Sequence, residues 1–218
     1  MSNAGPEEYV LVAPPKSPLG ALRALKRALR QLYDNFFLFT ILGALLYLTL
    51  PTVILPGVVV ATIYQIARQA QNQPAPAFSD LLPALRAALP WGPLLFLSGL
   101  VGLVLLLFNI QFYGATETLA LLQPLWMLLL ILWLSIGFYS FAIAVALDWP
   151  GIRAVVRIAF LFVAARPFTT LTVWLGVPLL IAIALVLPLL LFLLPGLLAL
   201  WATTLTYPPI VEESLAED

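Results

Sequence analysis
The chain contains no cysteine and no histidine. Without a thiol there is no disulfide, no iron–sulfur cluster and no thiolate nucleophile. Without imidazole, the usual haem ligand, the usual zinc ligand and the commonest general base are missing. Charge is scarce too: only 9% of the 218 residues are Asp, Glu, Lys or Arg, against roughly 25% in a soluble globular chain. The formal net charge is zero, so nothing in the bulk electrostatics favours nucleic acid. Both lysines, Lys16 and Lys26, precede the first apolar block, which excludes a Schiff-base lysine from the core.

Apolar continuity takes the place of charge. Some 63% of residues are hydrophobic, and they gather into four blocks: Phe36 to about Ala67, Trp91 to Phe112, Leu119 to Leu147, and Phe168 to Tyr207. A membrane-spanning helix takes about 20 apolar residues. The second and third blocks suit one span each, and the first and fourth are too long for one. Lys16, Arg23, Lys26, Arg27 and Arg30 precede the first block, and Arg68 and Arg86 follow it. Cations favour the cytoplasmic side, so this block is expected to cross twice, broken at Pro51 and Leu55-Pro56-Gly57. A re-entrant hairpin is the alternative. Residues 109–120 lack Lys and Arg and read as outside. Residues 148–167 carry Arg153, Arg157 and Arg166 and read as inside. The fourth block holds Pro178, Pro188 and Pro195, with a turn expected near Pro188.

The expected fold is an all-α polytopic helix bundle of a bacterial plasma (inner) membrane. It has six spans, with five as the runner-up, and both termini in the cytoplasm. A disordered tail (1–16) and an acidic tail (208–218) flank a single membrane domain (17–207).

Each turn back toward the cytoplasm carries an amphipathic segment. Ser17 to Leu32 opens with Ser-Pro, a helix-start signature. Leu22, Leu25, Leu29 and Leu32 recur at helical spacing on one side, and Arg23, Lys26, Arg27 and Arg30 fill much of the other. Asp80 to Leu89 and Pro150 to Ala165 repeat the pattern, the latter with Arg153 and Arg157 one turn apart. Such helices lie in the interface with their cations among lipid phosphates. The six cations on the first and third segments are the candidate surface for docking lipid or a partner.

Ionisable residues inside the membrane are the default functional candidates, and here they are nearly absent. Asp34, Asp80, Glu117 and Asp148 all fall at predicted span ends or helix starts, with Asp80 and Asp148 expected as N-caps. No carboxylate sits at mid-depth for proton coupling or intramembrane proteolysis. Uncharged polar groups remain. Asn109, Tyr139, Ser140, Thr170 and Thr204 are the candidate lining of a polar cavity, against the plainer reading of helix packing. Ser98 and Gly102 form a small-xxx-small pair suited to close helix approach.

The basic lead-in helix, Asn35 before a Phe/Leu-rich span, Gly43 and the following proline break resemble the YesL-like family of bacterial membrane proteins. So does the step Arg166-Pro167-Phe168-Thr169-Thr170-Leu171 into the last block. The likeness covers roughly residues 19–207, but the short basic tail expected after the last span is missing. The resemblance implies a five- or six-helix bundle of unknown activity, often found near carbohydrate uptake transporters.

The expected function is a non-enzymatic accessory or assembly subunit of a larger membrane complex, without cofactor or metal. Its expected partners are the lipid bilayer and another integral membrane protein or a second copy. A transporter or channel for a small neutral solute is the first alternative. A structural subunit of an energy-transducing complex is the second.

Overall fold
The computed structural model describes residues 18–72, 76–115 and 117–206; the expectations for both tails lie outside them. Among the described residues there are nine α-helices and no strand: α1 (Pro18–Asp34), α2 (Phe36–Thr49), α3 (Leu55–Asn72), α4 (Leu81–Ala88), α5 (Gly92–Ala115), α6 (Gln123–Ala146), α7 (Ile152–Ala165), α8 (Pro167–Val186) and α9 (Pro188–Thr206). A helix satisfies its backbone polar groups internally, as hydrocarbon surroundings require.

Helices α5, α6, α8 and α9 are long and apolar enough to cross a membrane. A fifth candidate is the pair α1–α2, which bends by 94° at Asn35. The chain is therefore an all-helical protein with four to five candidate spans. Two features separate this from the six-span expectation. Helix α2 has 14 residues, which rise only about 21 Å against a hydrocarbon core of roughly 30 Å. Helix α3 carries Gln65, Arg68, Gln69 and Gln71 in its C-terminal half.

Proline and glycine set the breaks unevenly. Leu55-Pro56-Gly57 opens α3 and Pro188 opens α9, as the sequence predicts, but Pro178 and Pro195 sit inside continuous helices. Among the described residues three non-glycine residues adopt the left-handed region: Val53 (φ 61°), Asp148 (φ 51°) and Trp149 (φ 58°). Each such residue costs on the order of 1–3 kcal/mol. The Trp149 ring stacks on Trp91 at 4.7 Å, which ties the α6–α7 turn to the start of α5. Asp148 therefore lies in a turn, and Gly151 holds the N-cap position of α7. Asp80 does hold the N-cap position of α4, but its side chain makes no bond to that helix; its carboxylate accepts instead from the Ala77 N–H at 2.9 Å.

Helix α3 is central, with 11 of its 18 residues buried against α2, α4, α5, α6 and α9. Helices α2 and α9 run antiparallel through two reciprocal notches: Gly43 faces Phe192, and Gly196 faces Phe39. Helices α8 and α9 form a hairpin in which the Trp201 ring rests on Gly176. Trp201 is fully buried and donates its Nε1–H to the Ala21 carbonyl at 3.1 Å, fastening α1 to the bundle. Helix α5 stands at the edge, with only Gly92 and Leu95 buried.

The chain connections bring α1, α4 and α7 to one end of the bundle. Nine cations are described, and all lie on these helices, at the C-terminal half of α3 or at Arg166. The opposite turns, at 50–54, 117–122 and 187, have none, so one end alone satisfies the preference of cations for the cytoplasm.

Helix α1 has three sides. Ala21, Ala24, Ala28 and Leu32 face the protein; Leu19, Leu22 and Leu29 are exposed; Arg23, Lys26 and Arg30 lie on the third side. The predicted leucine face thus packs on the bundle only through Leu32 and the half-buried Leu25. Small side chains let helix backbones approach, so the alanines take the protein contact.

Candidate functional site
One concavity opens at the side of α6. It is a groove of about 900 Å³ between α5, α6 and α8. Residues Trp133 to Phe141 of α6 form its floor, and one stripe of α8, from Thr170 to Leu185, forms a wall. Gly99 and Gly137 face it, and a Cβ on either would meet nothing within 4 Å. The surface is almost wholly apolar.

Most polar groups in the groove are already spent. Ser135 and Ser140 hydroxyls donate to Ile131 and Ile136 carbonyls, both at 2.7 Å. Ser98 donates to Leu95 at 2.8 Å. The Trp133 indole donates to the Gly99 carbonyl at 3.0 Å, and the Trp174 indole to Ser135 Oγ at 2.7 Å.

One end differs. Tyr139 Oη and Thr170 Oγ1 are buried and lack hydrogen-bond partners, as is Arg166 Nη1. The two hydroxyls are close enough to interact but are not aligned for a hydrogen bond. Tyr139 is 0% exposed and Thr170 8%. The Arg166 guanidinium lies over the Phe162 ring, 4.3 Å from its centroid, and Phe162 packs on Tyr139 at 4.7 Å. Burial lowers the Arg166 pKa from its ordinary value, and the neighbouring Tyr139 pulls the other way. Arginine nonetheless stays cationic in proteins. A second, shallower hollow of about 460 Å³ adjoins the groove through shared Ile136 and Val156; Arg153 and Arg157 rim it.

The predicted polar cavity does not assemble from all five residues. Tyr139, Ser140 and Thr170 line the groove together. Thr204 lies on the opposite flank, where it and Thr203 accept from Gln71 Nε2 at 3.2 and 2.8 Å. Asn109 stands far along α5 and donates to its own helix at Leu105, 2.7 Å away. The antiparallel course of α5 carries it away from the others. Of the predicted docking cations, Arg23, Lys26 and Arg30 are exposed on α1 and Arg153 and Arg157 on α7, while Arg27 is half-exposed.

Several buried polar groups escaped the sequence reading. Gln31 Nε2 donates to the Ala70 carbonyl at 3.4 Å, and the Arg68 guanidinium donates to the Val145 carbonyl. Gln31 Oε1 and Gln69 Oε1 are buried without partners. Arg166 stood out only as a loop cation. Its place between an aromatic-rich helix and a proline-started span was the available signal. Among the described residues no cluster of carboxylates could hold a metal ion. No family model matches the chain, and neither a curated protein nor a solved structure matches it.

Proposed function
We propose that this chain is a non-enzymatic subunit of the bacterial inner membrane that works by lateral association within a larger membrane complex. The observation that carries this reading is the direction of its open surface. The main groove faces out of the bundle, while buried hydroxyls on α3, α6 and α9 bond their own helices, as at Thr62, Ser140 and Thr206. A solute path needs polar groups converging on a through-route, whereas Asn109 and Thr204 point to separate flanks. A neutral-solute carrier is accordingly the weaker reading.

In the proposed topology α2 and α3 make a short hairpin that adds the fifth and sixth spans, shielded by α5, α6 and α9. Irregular backbone is tolerated at membrane depth when protein covers it. Helices α1, α4 and α7 lie in the cytoplasmic interface. The 94° bend at Asn35 and the three-sided pattern of α1 support this, as does the gathering of cations at one end. The resemblance to the YesL-like family nominates a carbohydrate importer as the complex.

The test is extraction from native membranes in mild detergent, with mass spectrometry of what co-purifies. A stoichiometric membrane partner, or a stable second copy, is the expected result. A monomer that carries neutral sugars across liposome membranes would overturn the proposal.

A further inference from the structure
We infer that the groove between α5, α6 and α8 is a binding site for one anionic phospholipid, its phosphate seated against Tyr139, Thr170 and Arg166 and an acyl chain lying along α8. The site stands whether or not a protein partner docks elsewhere.

Two independent features meet here. The first is unspent polarity. Tyr139 Oη and Thr170 Oγ1 are each more than nine-tenths buried, line the groove and lack partners. Arg166 Nη1 beside them is also buried and unpaired. A buried donor without a partner costs about 1–3 kcal/mol, and more when charged. Two hydroxyls and a guanidinium can all donate, so the missing partner is an acceptor rich in oxygen and negative charge. Phosphate fits that description.

The second feature is the apolar groove that runs away from this polar end. The α8 stripe from Thr170 to Leu185 extends about 22 Å. One leaflet of hydrocarbon is roughly 15 Å deep, so a chain reaching the bilayer midplane lies wholly within it. The volume of about 900 Å³ is at the upper end of ordinary ligand sites. Polarity at one end and hydrocarbon along the rest describe an amphiphile.

Charge selects which amphiphile. Arg153 and Arg157 rim the adjoining hollow, Arg166 neighbours Tyr139 over the Phe162 ring, and Asp148 is the only acid described between Ser135 and Thr206. The head should therefore be net negative. A neighbouring apolar helix would fill the groove but leave the guanidinium and hydroxyls unanswered. Free phosphate would answer them but leave the groove empty.

The full-length protein, delipidated in detergent, is titrated with phosphatidylglycerol and separately with phosphatidylcholine, and bound lipid is counted by native mass spectrometry. One phosphatidylglycerol should bind at concentrations roughly tenfold lower than phosphatidylcholine, because both carry the phosphate but only phosphatidylcholine brings a choline cation toward Arg153, Arg157 and Arg166. Arg166→Gln should erase that preference, and Tyr139→Phe and Thr170→Val should each weaken binding a few-fold. Gly137→Leu fills open space in the groove. It should abolish retention of either lipid while leaving the helix content unchanged, which keeps the test alive if Arg166→Gln fails to fold. Excess inorganic phosphate should not displace the lipid. Equal affinity for the two lipids, indifference to Gly137→Leu, or displacement by phosphate alone would each overturn the assignment.

Discussion

Replacing Gly43 by alanine should be among the most damaging single-methyl changes available in this chain. A Cβ at Gly43 would land on the carbonyl of Phe192, with the carbonyl carbon at 2.7 Å and the Phe192 Cα at 3.1 Å. All three are backbone atoms of α9, and no rotamer change clears them. The helices must separate or slide, losing contact along an interface that van der Waals packing holds together. Overpacking usually costs 1–3 kcal/mol; with rigid backbone on both sides we expect about 3 kcal/mol, roughly a hundredfold in the folding equilibrium.

The partner notch gives the internal comparison. A Cβ at Gly196 would meet the Phe39 ring, at 2.6 Å from Cδ1. The ring can turn but Phe39 Cβ, at 2.9 Å, cannot, so Gly196→Ala should cost about 1–2 kcal/mol, and Phe39→Leu should relieve part of it. Phe192→Leu should not relieve Gly43→Ala, because the obstacle there is the main chain. Gly99→Ala, with nothing within 4 Å, should be neutral or stabilising by about 0.5–1 kcal/mol. Reversible unfolding in detergent micelles reads all five variants. A Gly43→Ala protein within 0.5 kcal/mol of the parent, or one rescued by Phe192→Leu, would refute the reasoning.

Trp201→Phe removes the indole donor to Ala21 and should cost about 1 kcal/mol; limited proteolysis should show earlier cutting at Arg23 as α1 loosens. Gln71→Leu deprives Thr203 and Thr204 of their shared donor and should lower stability by about 0.6 kcal/mol in the same unfolding assay, the usual size of an interhelical bond in a membrane bundle. Arg30→Cys and Leu121→Cys place single thiols in a cysteine-free chain. Leu121 is 91% exposed in the turn before α6, and impermeant maleimide should reach the two sites from opposite faces; same-side labelling would sink the proposed topology.

The helix hairpins were legible because their punctuation is chemical: Pro188 and Leu55-Pro56-Gly57 interrupt long apolar runs where the chain does turn. Pro178 and Pro195 carry the same signal without a break. A proline's lost donor and displaced carbonyl can be absorbed within a helix packed among neighbours, and sequence alone does not reveal the neighbours. The alanine side of α1 has another cause. Hydropathy ranks leucine above alanine, but a membrane helix gives its large apolar side chains to lipid and its small ones to other helices. Ala21, Ala24 and Ala28 therefore hold the contact with the bundle, and Leu22 and Leu29 stay exposed.

The groove was half legible. Tyr139, Ser140 and Thr170 were marked as polar residues in apolar runs and do converge. Arg166 joins them only because α7 returns the chain to α6 before α8 begins, a tertiary consequence with no local periodicity to announce it. Asn109 and Thr204 are equivalent in composition but lie on α5 and α9, outside the groove lining.

Three helices gathered at one end also give the molecule a shape. Laid in one leaflet, α1, α4 and α7 amount to roughly 60 Å of rod about 10 Å wide, on the order of 600 Å² of cross-section that the other leaflet does not receive. In the proposed topology the protein is a wedge. Its insertion relieves a leaflet whose lipids have small headgroups and strains one already crowded at the surface. Its distribution in the plane of the membrane should then follow curvature, and its stability the lateral pressure of the bilayer around it.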